Sequence, residues 1–134
     1  MKKRTALIEM GKDGTFGIFT PNIKSTIIGE GNTVAEAKVD FENSVREVIE
    51  TYEETGMKDP DHLKEITFVY KYDLPSFLSY YDYFNISRLA KYAGINASLM
   101  RQYKSGQYVS EKQVSKIQDA IHKIGKELAS VQLL

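Results

Sequence analysis

The chain of 134 residues is 42% apolar and 27% charged, which is enough for one ordinary domain or two small ones and excludes wholesale disorder. Without cysteine there is no disulfide framework or thiolate site, and His62 and His122 are too few for a zinc cluster, so neither metal nor cofactor is expected. The net charge of zero hides an asymmetry: residues 1–83 carry 10 Lys+Arg against 15 Asp+Glu (−5) and residues 84–134 carry 8 against 3 (+5), which points to a polyanion partner for the second half and a different partner for the first.

Met1-Lys2-Lys3-Arg4 is basic, but the apolar run from Thr5 to Met10 is far too short for a secretion signal. No run approaches the ~20 residues of a membrane helix. A cytoplasmic chain with no membrane contact is the expectation. Thr5 to Met10 and Thr15 to Thr20 are β-prone runs flanking Lys12-Asp13-Gly14, a hairpin turn. Ile23 to Ile28 is read as a third strand, ended by Gly29-Glu30-Gly31-Asn32.

Thr33 and Glu36 have the spacing of a capping box, and Val34, Ala37, Phe41, Val45, Val48, Ile49 and Tyr52 continue at helical steps to form one apolar stripe. Glu42, Arg46, Glu47, Glu50 and Glu53 fall mostly outside it. The loop Gly56 to His62 stops this helix, and Ile66, Phe68, Tyr70 and Tyr72 then alternate with Thr67, Val69 and Lys71 as in a strand. Residues 1–73 therefore read as a small β-β-β-α-β layer. Asp73-Leu74-Pro75-Ser76 marks a boundary, with proline disfavouring helix at Leu74, and residues 74–134 read as all-helical. The fold class is α+β. Phe77, Leu78, Tyr80, Tyr81, Tyr83 and Phe84 read as core of the helical part in preference to a base-stacking platform.

From Asn85 to Gly106 the sequence has the form helix, turn, helix. Ile86, Leu89, Ala90 and Ala93 make an inner face, Gly94 closes the first helix, Ile95 plugs the turn and Asn96 caps the second helix. With Leu99, Met100 and Tyr103 facing inward, Ala97, Ser98, Arg101, Gln102 and Ser105 are left outward, a face suited to the major groove. Ser110 and Gln113 open another helix, in which Val114, Ile117, Ile121, Ile124, Leu128 and Val131 keep heptad spacing. That helix either closes the core or supplies a dimer seam, and Val131-Gln132-Leu133-Leu134 is an apolar end that a monomer would have to cover.

Leu89-Ala90, Gly94, Ile95, Leu99, Tyr103 and Gly106 resemble the pattern of Xre-type helix-turn-helix repressors, over about a sixth of the chain. That resemblance implies binding to double-stranded operator DNA, with Arg101 and Gln102 reading bases and Ser87, Ser98, Lys104 and Tyr108 holding phosphates. Asp13-Gly14-Thr15-Phe16, Pro21 and Gly31-Asn32-Thr33-Val34-Ala35-Glu36-Ala37 are similar to the HicB antitoxin family. In that family a degenerate ribonuclease H-like domain commonly precedes a DNA-binding domain. The segment Thr20 to Gly29 departs from the family's pattern, lacking its acidic residue after the proline and its Pro-Gly turn.

The two resemblances together imply a repressor that neutralises a HicA-like RNA-cleaving toxin and represses its own operon, and the heptad spacing from Val114 to Val131 adds the expectation of a homodimer or higher homo-oligomer. The alternative is a ligand-sensing or stand-alone regulator, but Gly29-Glu30-Gly31 is followed by no glycine-lysine pair that would cradle a phosphate, and it reads as a turn. No catalysis is expected. Ribonuclease H chemistry needs several convergent carboxylates, while the strands offer Glu9, Asp13 sits in a turn, and Asp40, Glu42 and Glu47 lie on a solvated helix side. His62 and His122 read as surface residues.

Overall fold

The computed structural model describes all 134 residues, which divide into two compact units, Met1–Phe77 and Leu78–Leu134. In the first unit the strands β1 (Lys2–Met10), β2 (Phe16–Phe19), β3 (Ile28–Gly31) and β4 (Ile66–Tyr72) form one sheet in the order β3-β2-β1-β4. β2 is antiparallel to both β1 and β3, and β4 is parallel to β1. The parallel pairing requires a crossover, which the helix α1 (Val34–Thr55) supplies.

The β1–β2 hairpin closes as its residues dictate. Gly14 takes φ 83°, Gly11 N–H donates to the Thr15 carbonyl (2.8 Å), and the Asp13 carboxylate accepts from Thr15 N–H (3.0 Å) and Oγ1 (2.7 Å). These Thr15 bonds, the hydroxyl first, hold the Asp13 carboxyl below its ordinary range. β1 starts earlier than the apolar pattern indicates, because Lys2, Lys3 and Arg4 pair with Ile66, Thr67 and Phe68 of β4.

The third strand is shifted from its expected place. Residues 23–27 are not a strand, because their backbone groups are taken by side chains: Lys24 and Ser25 N–H donate to the Asp61 carboxylate (2.8 Å each), and Ile27 N–H donates to the buried Thr20 hydroxyl (3.1 Å). Burial pushes the Asp61 carboxyl up, but the Lys24 and Ser25 N–H groups outweigh it and leave the carboxyl below its usual range. β3 instead runs through Gly29 and Gly31, so the segment expected to be a turn is a strand. Both glycines are needed there because α1 lies directly on the strand. A Cβ on Gly29 would stand 2.4 Å from the Phe41 backbone nitrogen.

The capping box at α1 is present in a variant form. Thr33 Oγ1 accepts from Glu36 N–H (3.1 Å), while the Glu36 carboxylate reaches back to Asn32 N–H (2.9 Å). The helix ends at Gly56, left-handed at φ 69°. Phe41, fully buried, meets Phe68 (centroids 5.2 Å apart) and Tyr70 (6.1 Å) edge to face, and Ala6, Ile8, Phe16, Ile18, Ile27, Ala37 and Leu63 complete the core.

The helix α2 (Leu74–Tyr80) includes Leu74, which proline was expected to exclude. Asp73 makes this possible. Its carbonyl accepts from Phe77 N–H (3.0 Å) and its carboxylate from Ser76 N–H (3.4 Å), so Pro75 sits in the first turn, where a missing N–H costs nothing. The second unit is helical: α3 (Ile86–Ala93), α4 (Ala97–Lys104) and α5 (Glu111–Ser130) bury Leu78, Leu89, Ala90, Ile95, Met100, Tyr103, Ile117 and Ala120. The aromatic cluster before α3 is only partly core, since Tyr80 and Tyr83 remain exposed. No helix of the chain is long and apolar enough to cross a membrane.

Candidate nucleic-acid interface

α3 begins where the Asn85 carboxamide accepts from Arg88 N–H (3.0 Å). It ends at Gly94, whose φ of 72° is left-handed, with Ile95 N–H returning to the Ala90 carbonyl (2.8 Å). That closure turns the buried Ile95 inward and places Asn96 at the start of α4. There its Oδ1 accepts from Ser98 N–H (2.8 Å) and Leu99 N–H (3.3 Å). Two orphan donors of α4 are thereby satisfied, so the Asn96 oxygen is committed to the cap.

Met100 and Tyr103 are buried and Leu99 is half-buried, so the inner face of α4 is the one the periodicity indicates. On the opposite side Ser98, Arg101, Gln102 and Lys104 are exposed, and Ala97 is half-buried. Ser105 ends the helix, its hydroxyl donating to the Arg101 carbonyl (3.1 Å), and Tyr108 stands 83% exposed in the loop before α5. Ser87 comes from α3 to the same place: Arg101 Nη1 donates to Ser87 Oγ and Nη2 to Ser98 Oγ, each at 3.3 Å. Of the nine expected interface residues, Ser87, Ser98 and Arg101 are joined by hydrogen bonds, Asn96 and Ser105 bond to nearby backbone, Ala97 is half-buried, and Gln102, Lys104 and Tyr108 are exposed.

Beyond the sequence pattern, Arg88 is exposed next to Ser87 on α3, and Lys112 is exposed at the start of α5. Only the excess of basic residues in the second half signals them. α5 is tied to α3 by Tyr92, whose hydroxyl donates to Glu127 (3.0 Å), and that bond with the carboxylate's charge holds the phenol above its ordinary value. Ser110 caps α5 by accepting from Gln113 N–H (3.3 Å).

In the first unit no group of three or more His, Asp or Glu side chains lies together as a metal site requires. A hollow of about 310 Å³ is lined by Ile49, Tyr52, Met57, Asp59, His62 and Lys64, among others. His62 is exposed there at φ 53°. No family model, curated protein or solved structure matches the chain.

Proposed function

We propose that the second unit binds double-stranded DNA through α4 and that the chain acts as a transcriptional repressor. The observation that carries this reading is the outward Arg101–Gln102 pair on a short helix that is capped at its start and packed on its opposite face. Such a helix enters a major groove end-first, arginine matching guanine and glutamine matching adenine. The charge of its unit supports a polyanion partner: residues 78–134 carry 8 Lys+Arg against 4 Asp+Glu, +4.

The repressor acts as a homodimer joined through α5. Ile117 and Ala120 are buried in the unit, but Val114 and Leu128, at i and i+14 around the half-buried Ile121, are 43% and 60% exposed. Gln118 and Gly125 run beside that row, with Glu111 at its start, while Lys112, Lys116, Asp119, Lys123 and Lys126 lie on the far side of the helix. A second copy of a unit carrying +4 meets least repulsion on a face that presents no lysine or arginine. Two α4 helices then address half-sites ~34 Å apart.

Selection from a randomised duplex library tests the reading. The chain is expected to enrich one motif, and Arg101→Ala with Gln102→Ala is expected to remove the preference while the far-ultraviolet circular dichroism stays unchanged. Enrichment of no motif, or undiminished discrimination by the double variant, would refute it. The acidic first unit and the HicB resemblance extend the proposal to an antitoxin that masks a small basic HicA-like toxin. Co-expression with the adjacent gene is expected to yield a complex, and a neighbour that encodes no small basic protein ends that extension.

A further inference from the structure

We infer that Ser87 and Ser98 are positioning residues for Arg101: they fix the guanidinium for base reading and are not themselves the phosphate contacts that the sequence pattern implies. The inference rests on the DNA-binding reading of α4 and deepens it. A free arginine has many rotamers, and freezing them on binding reduces both affinity and the contrast between a matched and a mismatched base. Here the guanidinium already has partners. Nη1 donates to a hydroxyl from α3 and Nη2 to a hydroxyl from α4, each at 3.3 Å, so the planar group is oriented at two points from two helices.

The two serines sit at matching places, each the second residue of its helix, where no side chain is needed for packing and both are exposed. Each hydroxyl supplies an acceptor lone pair, which alanine lacks and threonine keeps. Neither partner is an acid, so the positive charge of Arg101 is oriented without being neutralised. Of the five guanidinium N–H groups, two are used and three remain for a base edge.

A positioning residue and a phosphate contact fail differently. Losing a phosphate contact weakens binding to every sequence alike and lowers the log–log salt slope by ~0.9 per contact, whereas losing a positioning residue reduces base discrimination at a single position. The experiment uses the full chain, the duplex enriched by library selection, and variants of that duplex with each guanine replaced in turn. Wild type is expected to prefer guanine at the Arg101 position by roughly 10- to 100-fold. In Ser87→Ala/Ser98→Ala that preference should fall at least ~5-fold, toward the value for Arg101→Ala, with the salt slope and the affinity for unrelated duplex unchanged. Ser87→Thr/Ser98→Thr should restore it.

A sequence-independent loss of affinity with a shallower salt slope makes the serines phosphate contacts and overturns the inference. So does undiminished discrimination in the alanine variant. If wild type enriches no duplex at all, the DNA-binding reading falls and this inference with it; if wild type enriches a motif and the alanine variant reads it equally well, the inference alone falls.

Discussion

A Cβ added at Gly29 would stand 2.4 Å from the Phe41 nitrogen, and one at Gly31 2.6 Å from the Ala37 nitrogen. Both obstacles are backbone, which cannot rotate aside. Gly29→Ala is therefore expected to cost on the order of 3 kcal/mol, the upper end of overpacking. Gly17→Ala, on the neighbouring strand with nothing within 4 Å of the new methyl, should change stability little. Urea denaturation of the two variants compares them directly, and equal midpoints would refute the close seating of α1 on β3. Tyr70, on the same core, carries a pH signature. Burial first, then the hydrogen bond to Glu42 and that carboxylate's charge, pushes its phenol up to about 12. An unfolded tyrosine titrates near ~10. The stabilisation is thus complete below pH ~10 and is lost as pH rises through about 12. An ultraviolet titration should show Tyr70 ionising in that upper range, a step that Tyr70→Phe removes, and Glu42→Gln should lower its midpoint.

Among the elements, α5 carries the sharpest expectation. Leu128→Asp places a charge beside the exposed Val114 and half-buried Ile121 row without touching the buried Ile117 and Ala120. Sedimentation should show a dimer becoming a monomer with unchanged helicity, whereas a wild-type chain that sediments as a monomer at tens of micromolar would refute the α5 seam. The helices are legible in the sequence because their ends are fixed by nearby residues: Thr33 with Glu36, Asn85, Gly94, Asn96, and Ser110 with Gln113 all act within a turn of the helix they bound. The strand ends are not legible, for the opposite reason. β1 extends back to Lys2 only because β4 lies beside it, and residues 23–27 leave the sheet because Asp61, remote in sequence, takes the N–H groups of Lys24 and Ser25. The outward face of α4 comes from its period. The bond from Arg101 to Ser87 does not, since it depends on how α3 and α4 cross.

Across the whole molecule, opposite charges cancel in the sum but not in effect. Residues 1–77 carry 10 Lys+Arg against 14 Asp+Glu (−4), and residues 78–134 carry 8 against 4 (+4), which gives a net charge of zero. A neutral chain would ordinarily be a poor partner for DNA. Counterion release depends, however, only on the cations set against phosphates, so acidic residues that make no phosphate contact do not enter the salt slope. Lys104→Gln is therefore expected to weaken binding to all duplexes similarly and to lower the slope by ~0.9. Glu47→Gln with Glu50→Gln, on the exposed side of α1, should leave that slope unchanged while shifting the net charge by +2. If the two changes alter the slope alike, net charge and not local placement governs the association, and α4 loses its place as the DNA-reading surface.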